Sequence, residues 1–386
     1  ADTMNVAVGY AALEATTTGI NNTAVGGFAM QSNTTGADNC AFGEQALVLN
    51  TTGNQNTGIG SGALAANTTA ANNTAIGWDA LKTNTTGVSN IAIGSEALDA
   101  NTTGSDNVAV GVNSTGVNTT GIRNCALGNQ TLMNTTTGSD NVAIGNSAMY
   151  NHTTSDDNVA IGRVAAYSLT TGANNVAVGK SSGYAITTGY QNTSIGSHAN
   201  DACTTGYGNT CIGGYSGRDI TTGYNNTIIG ENADVSGATN NHEIVLGRNC
   251  VGRGSATFYV DTNNPYHAGN STSWSTTSDR RIKKNITNFN DGLSIINQIQ
   301  VRNFEYKTED EIKTDNPELT DVIRSAVVNK TGTQIGLIAQ EAEAVSSGLA
   351  KTTSNGIYSL ETDDLFWYML NAIKELSAKV TALEGN

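Results

Sequence analysis

The chain has 386 residues, a net charge of -14, 44 glycines and only two prolines, enough length for more than one domain. That acidity argues against a nucleic-acid or anionic-membrane partner, both of which call for a basic surface, and no apolar run is long enough to span a bilayer. Cys40, Cys125, Cys203, Cys211 and Cys250 form no CxxC pair and have no histidine at ligand spacing, so they read as buried free thiols, with no metal or other cofactor expected.

An internal repeat starts almost at once. Asn-Val-Ala-Val-Gly at 5–9 returns as Asn-Thr-Ala-Val-Gly at 22–26 and Asn-Cys-Ala-Phe-Gly at 39–43. The spacing is 17 residues, and it runs without insertion from Gly9 to Gly247, giving fifteen copies. Each copy alternates apolar and small residues with period two, as a strand does. Val6 and Val8 share one face and Ala7 the other. A second apolar pair follows, such as Ala29–Met30 or Ala46–Leu47. Then comes Thr-Thr-Gly, read as a β-branched pair closed by a glycine that allows positive φ in a turn. Repeats that tolerate no insertion stack coil on coil. The prediction for 1–247 is therefore a mainly β protein, a parallel β-solenoid or β-roll of fifteen coils, rising about 4.7–4.8 Å per rung.

A coil this thin holds few apolar side chains, so self-association is expected. The small row (Ala7, Ala24, Ala41, Gly58, Ala75) lies opposite a branched row, so that one face can fill the coil while the other lets chains approach closely. Three chains around an axis is the preferred arrangement. The repeat resembles the head repeats of trimeric autotransporter adhesins, which form β-rolls packed as trimers, and repeats of phage and virus tail fibres.

Late in the array the Leu position drifts to Thr115, Ala166, Gly183, Asn200 and Gly217. Tyrosines appear in register there: Tyr150, Tyr167 and Tyr184, then Tyr190, Tyr207 and Tyr224. Each set is predicted to stack into a ladder. Such ladders could offer flat apolar contact to a receptor or glycan, or could simply replace the lost Leu packing. The regular Thr rows suit ice binding less well than soluble β-formation, because each pair abuts a corner. Paired carboxylates of a polysaccharide-degrading spike are not evident in the array.

Residues 248–277 leave the repeat and contain Pro265, which reads as a neck or linker. Beyond Ser278 lie twelve of the nineteen Lys and Arg residues. At the end of the chain, Phe366, Met369, Ile373, Leu376, Val380 and Leu383 alternate spacings of three and four. That is an a/d seam, predicting a trimerising coiled coil over 366–383.

The stretch Thr-Ser-Asp-Arg-Arg-Ile-Lys-Lys-Asn-Ile at 277–286 could be a basic turn with Ser278 or Asp279 as helix N-cap. It also resembles the opening signature of the intramolecular chaperone of endosialidases and other phage tail spikes, the peptidase S74 family. Further matching stretches follow at 291–307 and 333–345, so the resemblance covers 278–386 as a small α+β chaperone domain. It implies one self-cleavage in cis at the Ser278–Asp279 bond, with Ser278 as nucleophile and Lys283 as general base. Lysine accepts a proton near neutrality only if burial or nearby positive charge lowers its pKa. Arg280, Arg281 and Lys284 supply that charge, and Lys284 is the rival base.

The sequence thus predicts a homotrimeric virion tail fibre or spike, extracellular, with itself and a host receptor or glycan as partners. The alternatives are a bacterial trimeric surface adhesin and a polysaccharide-binding or depolymerising spike.

Overall fold

The computed structural model describes residues 4–260, 284–317, 331–352, 357–361 and 363–384. The chain divides into two compact units, one containing residues 1–250 and 255–259 and the other residues 251–254 and 260–386.

The first unit is the parallel solenoid. Each copy of the repeat contributes one three-residue strand, from β1 (Val6–Val8) to β15 (Ile244–Leu246), and neighbouring strands pair in parallel in exact 17-residue register. A sixteenth strand, β16 (Phe258–Val260), extends the sheet past the last repeat, within the stretch expected to be a neck. The strands are short because most of each coil is turn. Those turns are nevertheless bonded from rung to rung: Leu13 N donates to Ala29 O (3.1 Å), Met30 N to Ala46 O (2.9 Å) and Thr17 N to Thr34 O (2.9 Å). Backbone groups that a turn would leave for water are thereby satisfied by the next coil.

The interior decides which of the two strand faces fills the coil. The residue at the strand centre is the one that fills the coil: the small Ala24, Ala41, Ala75, Ala92 and Ala109 are fully buried, and so are Ile228 and Val245 at the same place in the last two repeats. The branched residues on either side point outward. In the early coils a narrow interior explains this, since Ala29–Met30, Ala46–Leu47 and their equivalents enter from the turn and leave room for no more than a methyl at the strand centre.

Two columns of buried asparagine complete the inside. In the first, the residue before each strand links three coils. Asn39 N donates to Asn22 Oδ1 (3.0 Å), Asn39 Nδ2 donates to Gly53 O (2.8 Å), and Asn39 Oδ1 accepts from Asn56 N (2.9 Å). In the second, Asn50 Nδ2 donates to Asn33 Oδ1 (2.9 Å), Asn67 Nδ2 to Asn50 Oδ1 (2.8 Å), and so on to Asn118. A buried amide is tolerated only when bonded in this way.

The glycine of Thr-Thr-Gly also departs from expectation. It is the strand-ending glycines, Gly26 at φ 135° for example, that occupy positive φ. At Gly36 the constraint is space: a methyl there would run into Gly53 O and the Asn33 side chain.

The second unit is small. Strands β17 (Arg302–Phe304) and β18 (Gln334–Gly336) pair antiparallel, as do β19 (Ala350–Thr352) and β20 (Tyr358–Leu360). Helices α1 (Leu293–Ile296), α2 (Glu309–Asp315), α3 (Ala339–Val345) and α4 (Asp363–Glu384) accompany them. Its core gathers Ala342, Leu349 and Tyr368 with Ile295, Ile299, Leu360 and Leu365. Among the described residues no helix is long and apolar enough to cross a membrane.

Candidate functional site

Three features carry functional information: the tyrosine columns, the outward apolar row, and the helix that ends the second unit.

The tyrosines form the ladders expected from their spacing. Tyr150, Tyr167 and Tyr184 stack with ring centroids 5.3 Å apart, and Tyr190, Tyr207 and Tyr224 with centroids 4.8 Å apart and planes within 3°. A third, shorter stack pairs His198 with Tyr215 at 5.1 Å. The rings do not replace the lost Leu packing. From Ala166 onward, where the Leu position shrinks, the second asparagine column turns apolar, through Leu169, Ile186, Cys203 and Ile220, all buried. A side chain at Gly183 would meet Ile186 Cδ1 at 3.0 Å, so Ile186 occupies the volume that leucine fills in earlier coils. This exchange is legible in sequence: Asn-Thr-Thr-Gly becomes Leu-, Ile- or Cys-Thr-Thr-Gly in the same coils.

Between the two interiors sits His152, fully buried. Its Nδ1 lies 3.0 Å from Thr135 Oγ1 and its Nε2 2.9 Å from Ser155 Oγ. Burial lowers its pKa to about 4, so the ring is neutral at ordinary pH. Near the far end, Asp234 accepts from Asp219 N and Val235 N, yet burial and the neighbouring Asp219 charge raise its pKa to about 7. Cys203, Cys211 and Cys250 are buried thiols as expected, and burial pushes Cys203 up to about 11. Cys40 and Cys125 instead lie half-exposed, at the first, outward position of their strands.

The outward row at the third strand position is apolar in all fifteen coils, running Val8, Val25, Phe42, Ile59, Ile76, Ile93 and onward to Leu246. Many of these side chains are more than one-third exposed. The Thr rows are partly consumed inside the coil stack: Thr34 Oγ1 donates to Thr51 O and Thr102 Oγ1 to Thr119 O, each at 3.0 Å. That leaves only the second Thr of each pair as a free-facing row.

Helix α4 has two faces. Leu365, Tyr368 and Ala372 pack inward, with Tyr368 OH 2.9 Å from Ser346 Oγ and Asn371 Nδ2 donating to Phe289 O (2.8 Å). Gly292 abuts the backbone of residues 371 and 372, where a methyl would not fit. The heptad seam uses a different face. Phe366, Met369, Ile373, Leu376, Val380 and Leu383 are 44–78% exposed.

Ser278, Asp279 and Lys283 lie outside the described residues, as do Arg280 and Arg281; Lys284 is exposed. The cleavage chemistry therefore rests on the sequence motif.

Comparison with known proteins gives one match. Residues 278–351 match the Peptidase_S74 family, described as chaperone of endosialidase. No curated protein and no solved structure matches the chain. The matched stretch begins at the serine singled out from the sequence, takes in α1, β17, α2, β18 and α3, and ends within β19. The chain accordingly carries, after a β-solenoid of about fifteen turns, a Peptidase_S74 chaperone-of-endosialidase domain at residues 278–351.

Proposed function

We propose that this chain is a homotrimeric tail fibre or tail spike shaft, displayed on a virion, whose C-terminal domain aligns three chains and then releases itself. The observation that carries the reading is the bare heptad seam of α4. Six large apolar side chains at coiled-coil spacing face away from their own domain, and three copies packed at these positions would bury them. The outward apolar row supports the same conclusion for the shaft. It repeats once per rung over fifteen rungs, so a partner that matches its whole length must share its rung spacing, as another copy does. In this reading the branched row, rather than the small one, meets the neighbouring chains.

A chaperone is needed because long-range parallel pairing is slow and leaves edges open during folding. Three chains held together at one end zip in register. The Ser278 hydroxyl, its proton taken by Lys283, then attacks the carbonyl of the Ser278–Asp279 bond; Lys283 passes the proton to the Asp279 amine as the C–N bond breaks, water hydrolyses the resulting ester, and the fibre is left kinetically trapped in its assembled state. The finished shaft, residues 1–278, engages a host receptor or glycan through its tyrosine columns.

Denaturing electrophoresis and intact mass of freshly expressed protein, beside a Ser278→Ala variant, test the cleavage. The expected product ends at Ser278 and is missing from the variant. Light scattering on an Ile373→Glu variant tests the seam: a trimeric mass that survives this charge at the centre of the helix would refute the coiled coil.

A further inference from the structure

The tyrosine ladders present something different from a row of ring faces. In a parallel stack each inner ring has both faces covered by its neighbours, so the outside of the column is a strip of ring edges and hydroxyls. Faces remain only at the ends of a stack, and four rings are ends. Tyr224 is closed by the edge of His242, at 5.4 Å and 81°. Tyr150 follows Met133 in its column. The two other ends are Tyr184, whose column continues with Asp201, and Tyr190, preceded in its column by Ala173. They are the most exposed rings of the two ladders, at 40% and 43%.

These two rings belong to the same coil. The sequence from one to the other is Tyr184-Ala-Ile-Thr-Thr-Gly-Tyr190, so they flank a single Thr-Thr-Gly corner. The first ladder ends in the coil where the second begins. The first stack has no further ring toward later coils and the second none toward earlier ones, and the exposed Thr188 lies between the two end rings in the chain. Beside Tyr184, the Asp201 carboxylate is held 2.9 Å from His198 Nδ1, and His198 is itself stacked on Tyr215.

We propose that Tyr184 and Tyr190 are the two platforms of a binding site for a neutral, linear glycan that crosses this corner. The proposal rests on the reading of the solenoid as a receptor-engaging shaft, and narrows it to one coil and one ligand class. A pyranose carries a flat apolar C–H face that suits an open aromatic ring, and its rim of hydroxyls suits a carboxylate and a threonine hydroxyl. Two platforms separated by a corner suit a chain of sugars better than a single sugar. The ligand is neutral because Asp201 stands beside the first platform on a chain of net charge -14; an acidic sugar would meet repulsion there.

Calorimetric titration of the full-chain protein with cellohexaose, maltohexaose and mannohexaose, and with a hyaluronan hexasaccharide as the acidic probe, tests this directly. At least one neutral probe is expected to bind, at least tenfold more weakly to Tyr184→Ala and to Tyr190→Ala, with Trp78→Ala, an exposed ring in a distant coil, unchanged. Tyr184→Leu keeps the bulk without the flat ring and should lose binding as the alanine variant does, so a folding defect is told apart from a lost platform. Failure of every neutral probe, preference for hyaluronan, or binding indifferent to both rings would overturn the proposal. The cleavage product and trimeric mass report separately on the shaft reading, so a cleaved trimer that binds no glycan sinks only this inference.

Discussion

The early and late halves of the solenoid build the same coil from opposite interiors. From Leu13 to Leu98 a large apolar residue enters from the turn and a column of asparagines runs beside it; from Leu169 to Ile220 that column is apolar and the turn residue shrinks. The backbone does not change, because it is fixed by rung-to-rung hydrogen bonds and strand-ending glycines common to both. What must be conserved is total interior volume and the bonding of every buried polar atom. The early half meets the second condition by a continuous amide ladder and the late half by removing the amides. The residues that belong to neither solution show the strain: Thr115 and Asn200, at the shrinking turn position, each bury a side-chain oxygen without a hydrogen-bond partner.

The largest break in this comparison should come from putting one interior into the other. Asn84→Leu would leave Asn67 Oδ1 without its donor and strip one of two hydrogen bonds from each of Asn101 Nδ2 and Gly87 O, costing about 4 kcal/mol in chemical denaturation. At the equivalent late position, Cys203→Val should change stability by less than about 1 kcal/mol. Equal costs at the two positions would mean the halves do not differ as described.

A second effect is titrable. His152 has its folded pKa depressed, so its contribution is complete above about pH 6.5 and is lost as pH falls toward 4. Asp234 has its folded pKa raised, so its contribution is complete below its unfolded value of 3.8 and is lost as pH rises through about 7. The His152 contribution amounts to about 3 kcal/mol and the Asp234 contribution to about 4 kcal/mol, and between pH 4 and 6.5 their slopes oppose. The wild type should therefore show a flat stability profile there. Asp234→Asn should uncover stability rising with pH and His152→Asn stability falling with pH, as followed by denaturant midpoints across the range.

Smaller effects sharpen the volume argument. Gly183→Ala adds a methyl against Ile186 Cδ1 at positive φ, for a loss of about 1–2 kcal/mol. Combined with Ile186→Val, part of that loss should return, and a strictly additive pair would contradict the shared volume. Smallest is the ladder itself: Tyr207→Ala removes two stacking contacts on the outside and should cost only about 1 kcal/mol.

Ala70 offers a natural variant of the tight corner. It stands where other coils have the Thr-Thr-Gly glycine, and the next bond stretches in response: Thr68 N to Thr85 O is 3.4 Å, against 2.8 Å for Thr51 N to Thr68 O. Spacing between coils, more than turn conformation, is what that glycine protects.

Much of this was written in the chain. The 17-residue period without insertion determined the coil count, the parallel register and the tyrosine columns, because equal spacing leaves stacked strands no other alignment. The heptad spacing of Phe366 to Leu383 and the serine–lysine motif at 278–283 were equally readable, the latter through its family likeness. Two things were decided only by the folded coil. Alternation distinguishes two strand faces without saying which is inside, and the small row went inside because leucine and methionine from the turn had already filled the narrow interior. Spacing alone also cannot say that stacking hides ring faces: that the end rings Tyr184 and Tyr190 are the most exposed of the two ladders follows from how the rings stack in three dimensions.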